Sequence, residues 1–225
     1  MSLKAQLDAC RREYETKAGL RAVDAVRRSI RALTEAGLIA KAVKAGEMAP
    51  PFKLQCRRGG FIHLSDLLDR GPVVISFFRG DWCPFCVLEL EALAAAHPEI
   101  ERLGATLIAL SPQAQGKLSP PGNNGQRPFP VLQDLGCEIA VRYRIAFTVP
   151  RQYRAAYLAL GYSHSAKIGS TGWVLPIPAT YLLDSTGLVV LSYLDADHTT
   201  RLEPTEIIAA LTHLRAPNIP DRNNR

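Results

Sequence analysis

The apolar positions near the start of the chain recur in steps of three and four: Leu3, Leu7, Cys10 and Tyr14, then, after Gly19, Val23, Val26, Ile30 and Leu33. That spacing puts each set on one face of a helix, so the pattern predicts two helices, or one kinked helix, ending near Gly37, with residues 38–44 a further helical piece. Met48-Ala49-Pro50-Pro51-Phe52 breaks the pattern, because two successive prolines force an extended path. Phe52–Gln55 and Phe61–His63 flank Arg57-Arg58-Gly59-Gly60 as a hairpin would, and Leu64–Leu68 reads as a short helix capped by Ser65. Val73–Phe78 is short and apolar, as a strand covered on both faces would be. The helical pattern that follows runs to about Arg102, with Pro98 expected to kink or restart it.

Further on, residues 105–110 predict a second buried strand, 117–128 a loop rich in Pro and Gly, 129–132 a short edge strand and 135–143 a helix bearing Cys137. Residues 148–176 form a long irregular insertion whose Tyr153, Tyr157, Tyr162, Arg151, Arg154, His164 and Trp173 argue for packing over the active site. Residues 177–184 and 188–194 predict an antiparallel hairpin about Ser185-Thr186-Gly187, residues 204–214 a closing amphipathic helix, and residues 216–225 a flexible tail. The division expected is a helical extension over 1–45, an α/β domain over 46–215, and the tail.

At 225 residues and 47% hydrophobic composition the chain can bury one α/β domain with an appendage. No secretory pattern and no membrane-length apolar run is present, so a soluble, cytoplasmic protein without a membrane partner is expected. The net charge of +6 is concentrated in residues 1–44, which hold ten Lys/Arg and five Asp/Glu. Those basic residues alternate with acids and apolar positions as on a wetted helix face, which argues against a nucleic-acid partner. The N-terminal stripe packs either on the parent domain, the favoured reading, or against a second copy in a homodimer.

The chemistry sits where strand pattern meets helix pattern, in Arg79-Gly80-Asp81-Trp82-Cys83-Pro84-Phe85-Cys86. The free N–H groups at a helix start favour thiolate over thiol, and the two-residue spacing lets one sulfur reach the other. Pro84 suits the first turn, where its missing N–H is no loss. A zinc site would need two more ligands that no second CxxC or His pair supplies, and Asp195-Ala196-Asp197-His198 is a weak metal signal, so no metal is expected. Cys10, Cys56 and Cys137 read as reduced, mostly buried thiols. Asp81, Glu89 and Glu91 read as solvated charges, and Trp82 as a shield over the sulfurs.

The order of elements, with Trp82-Cys83-Pro84-Phe85-Cys86 after the central strand and Ile177-Pro178-Ala179-Thr180 opening the hairpin, resembles the thioredoxin superfamily. Gly46-x-x-Ala49-Pro50-x-Phe52, Leu64-Ser65-Asp66-Leu67, Ala109-Leu110-Ser111-Pro112-Gln113 and Phe129-Pro130-Val131-Leu132 narrow the resemblance to the peroxiredoxin-like, alkyl hydroperoxide reductase/thiol-specific antioxidant (AhpC/TSA) branch. The resemblance implies a thioredoxin-like three-layer α/β fold with a mixed central sheet, here with an N-terminal helical extension. It also implies hydroperoxide reduction by a Cys83/Cys86 pair without a cofactor, reset by a thioredoxin-like protein or a small thiol. Site-shaping roles fall to Trp82, Pro84, Arg79 and Pro178, the last as a cis-proline opposite the pair.

Matched by position, Cys86 stands where the peroxidatic cysteine belongs and Cys83 replaces a threonine, while Pro178 falls near the place of the arginine that polarises the peroxide. Against thioredoxin, the usual buried aspartate six residues before Cys83 is Phe77. In the first reading Cys86 attacks peroxide and Cys83 condenses with the sulfenic acid. In the second, Cys83 is the exposed attacker in general thiol–disulfide exchange on a disulfide substrate, and a non-catalytic binding module is the third. The residues alone leave these open.

Overall fold

In the computed structural model, residues 1–113, 127–159 and 172–215 are described. Two amphipathic helices, α1 (Leu3–Ala18) and α2 (Leu20–Glu35), and a single turn, α3 (Leu38–Lys41), precede the hairpin β1 (Lys53–Cys56) and β2 (Phe61–His63). There follow α4 (Leu64–Leu68), β3 (Val73–Phe77), α5 (Pro84–Arg102), β4 (Thr106–Ser111), β5 (Val131–Gln133), α6 (Glu138–Arg142), β6 (Ala146–Thr148) and α7 (Arg154–Ala159). The chain closes with β7 (Val174–Pro176), β8 (Ala179–Leu183), β9 (Val189–Leu194) and α8 (Pro204–Arg215).

Seven strands form one sheet in the order β2-β1-β5-β4-β3-β8-β9, while β6 and β7 pair separately. β3 runs parallel to β4 and β4 to β5, and the other pairings are antiparallel, so the sheet is mixed. All five residues of β3 are buried. The pleat divides them: Val73, Ile75 and Phe77 join Phe52, Leu64, Leu67 and Tyr143 on one face, and Val74 joins Phe85, Leu90, Leu93, Ile207 and Leu211 on the other. The three layers implied by the resemblance are therefore present, with α5 and α8 on one face and α4 and α6 on the other.

The N-terminal stripe packs on this frame. Leu3 and Leu7 lie in the core beside α5, and burying two leucines contributes about 1.5–3 kcal/mol each. The Glu203 carboxylate, just ahead of α8, accepts from the Leu3 and Lys4 N–H groups at 3.2 and 2.7 Å, answering two of the unpaired donors at the start of α1. α2 lies against the insertion, with Val26 in a separate apolar cluster with Val149, Ala156, Tyr157 and Leu175.

Several expectations change. The strand at 131–133 is internal, because β1 pairs with it at Gln55–Gln133 and Cys56–Leu132, and the edges are β2 and β9. The helix expected over 135–143 is divided: Gly136 and Cys137 have φ of 77° and 61°, and α6 begins only after them, its Ile139 and Ala140 N–H groups donating to the Asp134 carboxylate at 2.8 and 2.9 Å. Ser65 does not cap α4; its hydroxyl donates to Asp66. α5 runs unbroken through Pro98. The insertion is partly regular, since it holds α7 and β7, whereas Tyr162 and His164 lie outside the described residues, as do most of the 117–128 loop and the 216–225 tail.

Pro178 is not a cis-proline, for no peptide bond among the described residues is cis. The chain enters β8 already extended: β7 pairs with β6, and the Ile177 N–H donates to the Ile145 carbonyl at 2.8 Å, a path that needs no reversal at the proline.

Candidate active site

β3 leads into the site through Phe78, Arg79 and Gly80. Only glycine suits position 80: φ is 144°, and a Cβ would lie 2.5 Å from Trp82 Nε1 and 2.6 Å from Gln113 Oε1. The turn is tied down by Asp81, whose N–H donates to Gln113 Oε1 at 2.8 Å and whose carboxylate pairs with Arg57 at 3.0 Å and Arg127 at 3.8 Å. Cys83 is the N-cap of α5 and Pro84 follows in its first turn, so the Cys86 and Val87 N–H groups point back at the Cys83 carbonyl at 3.0 and 3.1 Å.

Cys83 and Cys86 each shift the other's proton affinity. Burial by itself would push the Cys83 thiol up. The neighbouring Cys86, through its thiol and its N–H, and the Arg79 and Arg201 charges outweigh burial and hold Cys83 at about 6. Cys86 goes the other way: burial and the neighbouring Cys83, through its thiol and its charge, raise it well above the ordinary thiol range. Burial and the neighbouring charges therefore favour the ionised form at Cys83 over that at Cys86.

Two guanidiniums serve this charge differently. Arg201, in the loop before α8, donates to Cys86 Sγ at 3.1 Å, to the His198 and Thr200 carbonyls at 2.7 and 2.6 Å, and through Nε to the Glu89 carboxylate. Glu89 sits at 2% exposure, with the Ser76 hydroxyl at 3.5 Å and the Thr180 hydroxyl at 3.4 Å. Burial lifts its carboxyl to about 7 against the pull of Arg201. Arg79 lies over the ring of Trp82 at 4.6 Å and over that of Tyr157 at 5.3 Å and meets no carboxylate among the described residues.

Both sulfurs are covered, Cys83 at 1% and Cys86 at 0% exposure, so Cys83 is not the exposed thiol expected for exchange: the helix start that carries it is packed beneath α1 and the ring of Phe85. Tyr14 of α1 meets Phe85 edge-on at 5.2 Å, and Phe85 in turn meets His198 at 5.8 Å. His198 is held neutral, first by burial and then by Arg79, Arg201 and Arg11 around it. An open groove of about 620 Å³ between α1 and the start of α5 is lined by Trp82 and Pro84, the neighbours of Cys83, and by Cys10.

Of the residues singled out in the sequence, Cys83, Cys86, Arg79, Trp82 and Pro84 come together here, and Pro178 directly precedes Ala179, the partner of Phe77 at the end of β3. Cys137 is buried elsewhere, 3.5 Å from the Val174 carbonyl. Asp197 accepts from Thr199 and pairs with Arg11 at 3.5 Å. Asp81 and Glu89 are buried ion-pair members and not the solvated charges expected. Glu89 was legible in principle: it shares the α5 stripe of Cys86, Leu90, Leu93 and Ile100, where a solvated acid would not fall. It also supplies, from the helix, the buried acid that Phe77 cannot. Arg201 carried no local signal, because it is brought 115 residues back to Cys86 by the closing loop.

The model of the AhpC/TSA family matches residues 45–192. A putative peroxiredoxin bcp of Helicobacter pylori is 36% identical over 70 residues, covering 31% of this chain and 45% of that protein, so the match spans less than half of that relative's length. A chloroplastic peroxiredoxin Q of Sedum lineare is 27% identical over 161 residues, 72% of this chain and 74% of that one. Among solved structures, the peroxidoxin BcpB of Mycobacterium tuberculosis superposes with a TM-score of 0.55 at 18% identity, covering 77% of this chain and 99% of that one. Peroxiredoxin Q of Xanthomonas campestris gives 0.55 at 17% identity over 76% and 98%. These likenesses confirm the thioredoxin-like fold.

Proposed function

Because the chain belongs to the AhpC/TSA family, we propose that it is an enzyme that reduces hydroperoxides with its own thiols, Cys83 attacking and Cys86 resolving. What supports the reading is the placing of the pair: Cys83 caps α5, and although burial raises it, the Arg79 and Arg201 charges and Cys86 lower it to about 6 while Cys86 is raised, and the thiolate is the nucleophile. These roles reverse those implied by positional matching to the family.

In the proposed sequence the Cys83 thiolate attacks the outer oxygen of the hydroperoxide. The O–O bond breaks, Cys83 becomes a sulfenic acid, and the departing alkoxide takes a proton to leave as alcohol. The Arg79 and Arg201 charges favour the negative charge that develops on that oxygen. Cys86, losing its proton beside Arg201, then attacks the Cys83 sulfur; water leaves and the Cys83–Cys86 disulfide forms. A thioredoxin-like protein or small thiol restores both thiols. Tyr14 and Trp82 must give way for a peroxide to enter along the groove beside Pro84. A cytoplasmic location, where such reductants abound, and assembly as a homodimer belong to the same proposal; a solution mass equal to one chain would remove the dimer.

Sulfenic acid trapping after peroxide addition tests the roles. The Cys86→Ser variant is expected to carry the adduct on Cys83, and the Cys83→Ser variant to lose peroxide consumption. An adduct confined to Cys86 in Cys83→Ser would reverse the assignment. The same Cys83 thiolate also suits thiol–disulfide exchange: insulin reduction without peroxide consumption would establish that reading, and two inert variants with unchanged behaviour would leave a binding module.

A further inference from the structure

Arg79 is an unusual cation for its surroundings. It is 3% exposed, and among the described residues its Nε has no hydrogen-bond partner and no carboxylate faces it. Arg57 and Arg201, the other buried arginines of the site, are each neutralised, by Asp81 and Glu89. The anion that Arg79 feels most strongly is the Cys83 sulfur. A guanidinium without a carboxylate to fix its direction must be held by something else, and two aromatic rings contact it, Trp82 and Tyr157.

Trp82 belongs to the same turn as Arg79, whereas Tyr157 is delivered by α7, from the insertion. Its ring is itself buried, 3% exposed, and its hydroxyl lies 3.4 Å from that of Ser29, which is 1% exposed on α2. Val26 and Ala156 pack around this contact. α2 lies ahead of the residues that match the family model, so a segment outside the shared frame braces a side chain at the centre of the site.

We propose that Tyr157 is a positioning residue: packed among Val26 of α2 and Ala156, its ring faces Arg79 and holds that guanidinium at the cysteine pair. The inference rests on Cys83 being the nucleophile. Removing the ring takes one contact from the guanidinium, lets it rotate away from the sulfur, and weakens the attraction that holds the thiolate. Removing only the hydroxyl leaves that contact in place.

The test is titration of the thiolate by its ultraviolet absorbance in the intact, reduced protein, with rapid alkylation and peptide mass identifying the ionised cysteine. Tyr157→Phe should titrate as the native protein does, and Tyr157→Leu should titrate about half to one and a half pH units higher, the scale of a cation–π contact. In an Arg79→Met background Tyr157→Leu should add nothing, because the residue acts through Arg79. An unchanged midpoint in Tyr157→Leu, or a shift that persists without Arg79 as general loosening would produce, overturns the proposal. Because the titration uses no peroxide, it stands apart from the failure of peroxidase activity, and alkylation on Cys86 alone would overturn the premise and not the clamp.

Discussion

Replacing Arg201 by Met removes the counter-charge of a carboxylate that has no route to water. Glu89 would be left at 2% exposure with only the Ser76 and Thr180 hydroxyls near it. Stripping one partner from a buried pair costs about 3–5 kcal/mol, a large share of the ~5–15 kcal/mol that holds a domain together. The cost must depend on pH. Burial already raises the Glu89 carboxyl from 4.5 to about 7, and loss of Arg201 raises it further. A carboxyl raised in the folded state binds more protons folded than unfolded, so its contribution is fully present below about pH 4.5 and is lost as pH rises through the raised value. At about pH 5 the variant should therefore lose only about 2 kcal/mol, the hydrogen bonds to the His198 and Thr200 carbonyls. The native protein loses the same amount up to its own Glu89 value of about 7, so the deficit should grow only above that, toward about pH 8, by as much as ~1.4 kcal/mol per pH unit. Urea unfolding of the reduced protein at both pH values measures this, with Glu89→Gln/Arg201→Met expected to be more stable than Arg201→Met alone at the higher pH. A deficit that ignores pH, or a double variant that is simply additive, would refute the reasoning.

Gly80→Ala should destabilise the protein by about 1–3 kcal/mol and slow peroxide turnover, because the added Cβ would fall 2.5 Å from Trp82 Nε1 on a backbone at φ 144°; thermal unfolding and turnover together check it. Cys137→Ala should cost about 1–2 kcal/mol in unfolding free energy while leaving peroxide consumption unchanged, since Cys137 fills core beside Val174. Tyr14→Ala should speed the reaction of Cys83 with a soluble disulfide reagent severalfold, because the Tyr14 ring stands against Phe85 over the pair; an unchanged rate would place the barrier at Trp82 instead.

The frame was readable because its signals are local. The buried run Val73–Phe77, the turn at Gly80 and the proline after Cys83 each declare themselves within a few residues, and their order implied the layered fold that the sheet displays. What escaped was set by distance along the chain. β5 looked like an edge because its outer partner, β1, lies nearly eighty residues earlier, at Gln55 against Gln133. Arg201 and Tyr157 have no pattern of their own that points to the cysteines, and only folding brings them there. Asp81 and Glu89 were misread because charge near a helix start is usually wet, whereas here each faces a buried arginine. The cis-proline expectation failed because it came from the resemblance, and in this chain the path from β7 into β8 is already extended. Whether 46–215 folds without 1–45 is a separate proposal, and the packing of Leu3 and Leu7 against α5 argues that removing the extension exposes core.

The most direct measurement is a count of thiols and a peptide map after one equivalent of an organic hydroperoxide is added to the reduced protein. Of five cysteines, three should still titrate as thiols, with Cys83 and Cys86 joined to each other and released again by a thiol reductant. Five thiols still titrating, or an oxidised bond that involves Cys10, Cys56 or Cys137 in place of this pair, would contradict the account.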